Sequence, residues 1–161
     1  MKRLFLIIPV SLWIALPACK KVRGPADGKS VQQNNNRDST IAMNAMINGR
    51  SWQTDTVFAY YINYSGNDSG VISLQINGTQ NSRDSVSSVT LYITNYTGPN
   101  TYTINPPLIT ATYYSNGNLR NFADSGQIVI SSDTAYALKG TFSFTADTFR
   151  ITGGVFNAAL P

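Results

Sequence analysis

The sequence predicts an all-β fold, and three observations lead to that prediction. Apolar and polar residues alternate over short runs along most of the chain. Turn residues such as Asn-Gly and Gly-Pro end most of these runs. No ten-residue segment has a helical period. About eight or nine strands with short connections predict a single antiparallel β-sandwich, with a small lipocalin-like β-barrel as the alternative.

The first predicted hairpin begins the folded region. Ile41, Met43, Ala45 and Ile47 alternate with polar or small residues and lead to Asn48-Gly49, a two-residue hairpin signal. The next predicted strands are the runs 57–64, 72–78, 89–94, 101–104, 109–113, 127–131, 136–146 and 148–160.

Proline and glycine mark the irregular points of this pattern. Pro106-Pro107 has no N–H to donate to a ladder, so it separates two strands. Gly140 and Gly153-Gly154 lie inside long strand runs. We expect β-bulges at these glycines, which let the long strands bend.

The N-terminus has the pattern of a secretory signal. A cationic start, Met1-Lys2-Arg3, precedes an apolar run over 4–15, and the segment closes with Leu16-Pro17-Ala18-Cys19. The run is shorter than the roughly 20 residues of a transmembrane helix. The closing tetrapeptide resembles a bacterial lipobox, so we predict lipidation of Cys19, with an ordinary cleaved signal as the alternative.

The predicted organisation has three parts. Residues 1–18 are a lipoprotein signal peptide, 19–40 are the lipidated cysteine and a flexible tether, and 41–161 are the β domain. The tether is polar and lacks apolar periodicity, so it cannot bury enough surface to fold alone. Its root-mean-square span would be roughly 25 Å.

Charge is distributed unevenly along the chain. The formal charge is +4, but seven of the twelve Lys and Arg residues precede residue 41. The β domain is therefore close to neutral, and we do not expect a nucleic-acid partner. Lys20, Lys21 and Arg23 would lie beside the lipid anchor, where each attracts anionic head groups by about 1 kcal/mol.

The residue types that are missing exclude several kinds of chemistry. The chain has no histidine and no glutamate, and its single cysteine is assigned to lipid. Histidine bases, thiolate nucleophiles and Cys/His zinc sites are therefore excluded. We expect no metal, no cofactor and no catalysis. An aspartate-dependent glycoside hydrolase, which needs two carboxylates about 5 to 10 Å apart, is the least favoured alternative.

Three motifs point to a family. The segments AMINGRSW at 45–52, GTFSFTA at 140–146 and ITGGVF at 151–156 resemble the opening and ending of small Bacteroidota lipoproteins of unknown function. The resemblance covers most of residues 42–157. It implies a phylum and an envelope location, and it implies no chemistry. The motif residues also suit a turn, a core tryptophan and inward-facing phenylalanines.

Aspartate is followed by a hydroxyl residue with unusual frequency. Seven of the eight aspartates precede Ser or Thr. Such pairs start turns, because the side chain bonds the backbone two residues on. They also resemble the O-glycosylation sequons of Bacteroidota exported proteins. The candidate O-glycosylation residues are Ser39, Thr56, Ser85 and Thr134.

Tyrosine is the most informative residue for binding. Nine tyrosines occur, several beside turns rich in asparagine. Their rings can stack on sugars while amides take hydroxyl hydrogen bonds. In the alternative interpretation, adjacent tyrosines place one ring in the core and one at the rim. The candidate ligand-binding residues are Tyr60, Tyr61, Tyr64, Tyr113 and Tyr114.

We therefore expect a non-catalytic, lipid-anchored β domain of the cell envelope with a binding or structural role. A carbohydrate-binding module is the first alternative. The expected partners are the membrane, which the protein contacts through its lipid, and either a glycan or an envelope protein. Surface export of Bacteroidota lipoproteins resembles a rule in which acidic residues closely follow the lipidated cysteine. Here the cysteine is followed by Lys20-Lys21-Val22-Arg23, which contains no acidic residue. The predicted location is the outer membrane, with the domain facing the periplasm.

Overall fold

The computed structural model describes residues 41–63, 70–83, 85–116 and 120–161. All regular elements in this part of the chain are strands, which confirms the all-β prediction. The predictions for the signal peptide, Cys19, the tether with Ser39, and Tyr64 fall outside the described residues. No helix within the described ranges is long and apolar enough to cross a membrane.

The described residues form eleven strands. They are β1 (Ala42–Ile47), β2 (Arg50–Thr54), β3 (Val57–Asn63), β4 (Ile72–Ser82), β5 (Ser85–Ile93), β6 (Thr101–Thr103), β7 (Ile109–Ser115), β8 (Asn121–Phe122), β9 (Ser125–Asp133), β10 (Ala137–Ala146) and β11 (Phe149–Ala159). Most match predicted runs. β2 and β8 are additional, because one carries few apolar residues and the other has only two residues.

The strands belong to one hydrogen-bonded sheet in the order β6-β9-β10-β11-β3-β4-β5-β7-β8, with the β1–β2 hairpin attached to β11. The sheet curls strongly into a half-barrel. It is neither divided into two, as in the predicted sandwich, nor closed, as in the lipocalin-like alternative. Every ladder is antiparallel except β11–β3, which is parallel and pairs only Ala159 with Phe58.

The core lies against the inner, concave face of this sheet. Alternate residues of each strand point inward, as the sequence pattern predicts. Fully burying a large apolar side chain stabilises the fold by about 1.5–3 kcal/mol. The largest members with less than 2 % exposure include Met43, Leu74, Ile76, Leu91, Ile128, Leu138, Ile151 and Phe156.

The predicted Asn48-Gly49 turn is confirmed. Both residues have positive φ, 49° and 75°, the conformation that a two-residue hairpin requires. The turn is also tied to β11, since the Asn48 side chain accepts a 2.7 Å hydrogen bond from the Arg150 N–H. The β1–β2 hairpin is thereby held at the start of the last strand.

The predicted irregularities are also present. Both ladders of β11 shift register at Gly153-Gly154, where β11 has one residue more than β1 and one more than β10. The β9–β10 ladder shifts between Lys139 and Gly140, and the extra residue there belongs to β9. Such bulges bend and twist the strands, which is consistent with the strong curl of the sheet.

Candidate functional site

The outer face of the sheet carries a row of polar and aromatic side chains. In an antiparallel ladder, directly opposed residues lie on the same face. The registers pair Tyr60 with Gln75, Gln75 with Tyr92, and Tyr92 with Thr110. All four side chains are half-buried. We call this set of four residues across β3, β4, β5 and β7 the tyrosine row.

A second row runs beside the first. The registers place Phe58, Asn77, Thr90, Thr112 and Phe122 side by side on the same face. The Asn77 carboxamide oxygen accepts hydrogen bonds of 2.9 Å from Thr90 Oγ1 and 3.2 Å from Gln75 Nε2. These bonds fix the amides between the two rows. We call the two rows together the outer face.

The outer face is uncharged and presents aromatic rings to solvent. Phe58 is 46 % exposed and Phe122 is 62 % exposed. The Phe58 and Tyr60 rings are nearly parallel, with centroids 6.2 Å apart and planes at 20°. Tyr60 and Tyr92 lie two strands apart, a spacing of roughly 9.6 Å. Rings at such a spacing, with amides and hydroxyls between them, suit a neutral, polyhydroxylated ligand.

A groove of about 580 Å³ adjoins this face, and Tyr60 belongs to both. The groove lies near the place where β3 and β11 pair at a single position, Phe58 with Ala159. Its lining consists of Tyr60, Tyr61, Asp133, Thr134, Ala135, Leu160 and Pro161. A ligand on the tyrosine row can therefore extend into the groove.

A cluster of tyrosines around Asp133 stiffens one wall of the groove. Tyr61 donates a 2.7 Å hydrogen bond to one carboxylate oxygen of Asp133, and Tyr96 donates a 2.8 Å bond to the other. The Tyr96 ring lies 5.8 Å from both the Tyr61 ring and the Tyr102 ring. The Tyr102 hydroxyl donates a 2.7 Å bond to the Gly98 carbonyl. We call these residues the Asp133 cluster.

The cluster holds its phenols in the protonated form. Burial, followed by the hydrogen bond and charge of Asp133, raises the pKa of Tyr61 and of Tyr96 well above the usual value for tyrosine. Both oxygens of Asp133 are already acceptors in these bonds. The Asp133 carboxylate therefore links the side chains of Tyr61 and Tyr96.

The structure separates the tyrosines that the sequence singled out. Tyr60 and Tyr61 lie on opposite faces of β3, and both of them line the groove. Tyr113 points into the core, and Tyr114 lies on the outer side. The core-and-rim arrangement expected for adjacent tyrosines holds for Tyr113 and Tyr114.

Gln75, Asn77 and Tyr92 complete the outer face, and no local sequence pattern marks them as binding residues. They lie in predicted strands, but their neighbours depend on the ladder registers. Alternation along one strand shows which residues share a face. It does not show which residue of the next strand lies opposite.

The described candidates for O-glycosylation are exposed and lie at turns or strand ends. Thr134 Oγ1 donates a 2.9 Å bond to the Ala137 carbonyl and accepts one of 3.1 Å from its N–H. Ser85 contacts Ser82 through their hydroxyls, 2.5 Å apart. Thr56 is exposed between β2 and β3. These positions fit the turn-forming interpretation, and their hydroxyls remain accessible.

Metal ligands do not cluster in the described part of the chain. No group of three Asp, Glu, His or Cys side chains lies close enough to hold an ion among these residues. In the described residues, the groups that the site offers to a ligand are aromatic rings, amides and hydroxyls.

The fold and the site define a class: a half-barrel β domain that displays a neutral aromatic face. The chain belongs to the family described as Domain of unknown function (DUF6252), whose model matches residues 39–159. No curated protein and no solved structure matches the chain.

Proposed function

We propose that this protein is a non-catalytic, lipid-anchored domain of the cell envelope that binds a neutral glycan on its outer face. The tyrosine row carries the proposal. It combines half-exposed rings with amide and hydroxyl groups over four adjacent strands and contains no charge. Sugars present apolar C–H faces and hydroxyl edges, so they need this combination of groups.

The geometry supports an extended ligand. The row crosses the strands at intervals of roughly 4.8 Å and leads into the groove at Tyr60. The Asn77 amide is oriented by Thr90 and Gln75, so little conformational entropy is lost when it binds a hydroxyl. A glycan chain can thus stack on Tyr92 and Tyr60 and continue toward Asp133.

Binding is favoured over hydrolysis by the state of Asp133. A glycosidase needs a protonated acid and a second carboxylate on either side of the scissile bond. In the groove, Asp133 is the one acidic lining residue among those described, and both its oxygens accept tyrosine hydroxyls. That arrangement supports capture of a glycan without cleavage.

The envelope location rests on the N-terminal sequence. The lipobox-like segment ending at Cys19 supports lipidation, and the cations at Lys20, Lys21 and Arg23 support contact with anionic head groups. The absence of acidic residues directly after Cys19 favours the periplasmic side of the outer membrane. The three motifs that resemble those of small Bacteroidota lipoproteins support the same phylum.

The test is affinity electrophoresis of the full chain in gels containing a panel of neutral polysaccharides. At least one should retard the protein, and Tyr60→Ala and Tyr92→Ala should each weaken that retardation roughly tenfold, since stacked rings contribute about 1.4 kcal/mol or more. Tyr136→Ala is the matched control, because its ring is 84 % exposed and lies off both rows. Thermal unfolding verifies that each variant is folded.

Two outcomes would contradict the proposal. One is that no neutral polysaccharide in the panel retards the protein. The other is retardation that remains unchanged in folded Tyr60→Ala and Tyr92→Ala variants. Either result would assign the outer face to another role.

A further inference from the structure

A second cavity opens on the inner side of the sheet, away from the outer face. It measures about 490 Å³ and lies between the β1–β2 turn, the β4–β5 hairpin and the end of β7. Ligand pockets in proteins range from roughly 300 to 1,000 Å³. We call it the inner cleft, and its principal lining residues are Arg50, Trp52, Gln80, Ser87, Tyr113 and Phe149.

The inner cleft has an aromatic wall that is fixed in place. The Tyr113 and Phe149 rings pack edge to face, with centroids 4.9 Å apart and planes at 61°. The Trp52 indole N–H donates a 2.8 Å hydrogen bond to Ser87 Oγ, which in turn donates a 3.3 Å bond to Gln80 Oε1. The indole N–H is therefore occupied, and Trp52 is among the residues that line the cleft.

Tyr113 contributes a phenol to this wall. The residue is only 7 % exposed. Burial raises the pKa of this phenol, so the hydroxyl keeps its proton at neutral pH. The hydroxyl can therefore donate a hydrogen bond to an acceptor of the ligand.

The cleft has a cationic lining. Arg50 is the one charged residue among the described lining residues, and none of them is acidic. The other polar lining residues are serines, asparagines and a glutamine. A guanidinium binds a carboxylate through two parallel hydrogen bonds. Hydroxyls and amides around it favour a ligand rich in hydroxyl groups over a purely aromatic acid.

We propose that the inner cleft binds an acidic sugar, of the hexuronate class. Its carboxylate pairs with the Arg50 guanidinium, its C–H face lies against Trp52 and Tyr113, and its hydroxyls bond to the amide and hydroxyl lining. The site is separate from the outer face, so it stands whether or not that face binds neutral glycans.

The experiment uses Trp52 as the reporter. The chain has two tryptophans, Trp52 and Trp13, and Trp13 lies in the predicted signal peptide. The protein is produced with Trp13→Phe, so that Trp52 is its one indole whether or not the signal is cleaved. Reconstituted in lipid vesicles, it is titrated with galacturonate and with galactose, which share a ring and differ in the carboxylate. Galacturonate should change the Trp52 emission saturably, and galactose at equal concentration should not.

Variants locate the site. Arg50→Gln should weaken galacturonate binding at least roughly tenfold, because it removes the paired, charge-assisted hydrogen bonds to the carboxylate. Tyr113→Phe should weaken it less. Arg150→Gln removes a charge from an exposed arginine that does not line the cleft, and it should leave binding unchanged. Tyr92→Ala on the outer face should also leave it unchanged.

The proposal is overturned by any of four results. The first three are the absence of a saturable response to galacturonate, an equal response to galactose, and wild-type affinity in Arg50→Gln. Loss of the response in folded Tyr92→Ala would place the acidic sugar on the outer face and would overturn the inner site as well. Failure of polysaccharide retardation alone would affect only the outer face.

Discussion

The hydroxyl of Tyr61 donates a 2.7 Å hydrogen bond to the Asp133 carboxylate across 72 residues of sequence. This bond joins β3 to the last residue of β9 in a region where β3 and β11 share a single pair, Phe58 with Ala159. Tyr96 completes the junction at the other carboxylate oxygen. The Asp133 cluster therefore links two parts of the sheet where the backbone ladder is shortest.

Asp133→Asn should destabilise the protein by about 1–3 kcal/mol. The substitution keeps the shape of the side chain, but it removes the charge and replaces one acceptor oxygen by an NH₂ group that faces a hydroxyl. The midpoint of urea unfolding measures the effect. Asp55→Asn is the control, because Asp55 is exposed between β2 and β3, and it should change stability by less than about 0.5 kcal/mol. Equal midpoints for the two variants would show that the cluster contributes little.

Stability should fall above about pH 10 in a way that depends on the buried phenols. The pKa values of Tyr61, Tyr96 and Tyr113 are raised in the folded protein, mainly by burial. In the unfolded chain these phenols ionise near pH 10. The unfolded state then binds fewer protons than the folded state, so the free energy of unfolding decreases as the pH rises. Below pH 10 these groups have no such effect.

The measurement is the urea midpoint between pH 9 and pH 11. Tyr96→Phe removes one of the phenols, so the decline in its midpoint should be shallower than in the wild type. Tyr136→Phe is the matched control, because that ring is 84 % exposed, and its decline should equal that of the wild type. Identical slopes in all three proteins would contradict the assignment.

Strand positions were predictable because burial follows alternation within each strand. Leu74 and Ile76 have zero exposure, as the pattern predicts, and Trp52 is buried as expected for a core anchor. Ile72 belongs to the same alternating series but is 41 % exposed. It pairs with Asn63 at the last position of β3, where the inner face passes beyond the core. Alternation along a strand therefore shows which residues face the core, but it does not show where along the strand the core ends.

The candidate sites were less predictable because they depend on contacts distant in sequence. No local pattern relates Tyr61 to Asp133. The Asp133-Thr134 pair is also typical of a turn, so it does not by itself indicate a binding site. Tyr92 meets Gln75 only through the β4–β5 register. The inner cleft likewise requires β2 and β7 to approach each other across the half-barrel. The sequence therefore indicates which residue types could bind a ligand, but it does not show which of these residues lie together in the fold.

Gly140→Ala should destabilise the fold by several kcal/mol. A Cβ at this position would overlap the Val129 carbonyl and lie 2.5 Å from Cζ of the Phe156 ring. Overpacking a buried site costs about 1–3 kcal/mol, and a clash with the backbone adds to that cost. Thermal unfolding gives the measurement. Thr141→Ala, at the exposed neighbouring position, is the control and should have a small effect. A wild-type melting temperature for Gly140→Ala would contradict the packing described.

Cys19→Ala should abolish lipidation and membrane retention, since the lipoprotein pathway acts on the cysteine thiol and stable anchoring takes more than one acyl chain. Incorporation of radiolabelled palmitate, followed by membrane fractionation, measures this. Cys19 is the only cysteine in the chain, so label in the variant would contradict lipidation at this thiol.

Proteinase K should leave the domain intact in whole cells and should cut it after the outer membrane is permeabilised. This result is expected if the domain faces the periplasm. Cleavage in intact cells would place the domain on the cell surface instead.

The position of β11 also determines when the domain can fold. This strand pairs with β10 along one edge and with β1 and β3 along the other. A nascent chain that ends before residue 149 has β1 without its main long-range partner, and its contacts of highest sequence separation, such as Ala42 with Asn157, cannot form. Folding of the complete sheet therefore waits for the last strand to be synthesised.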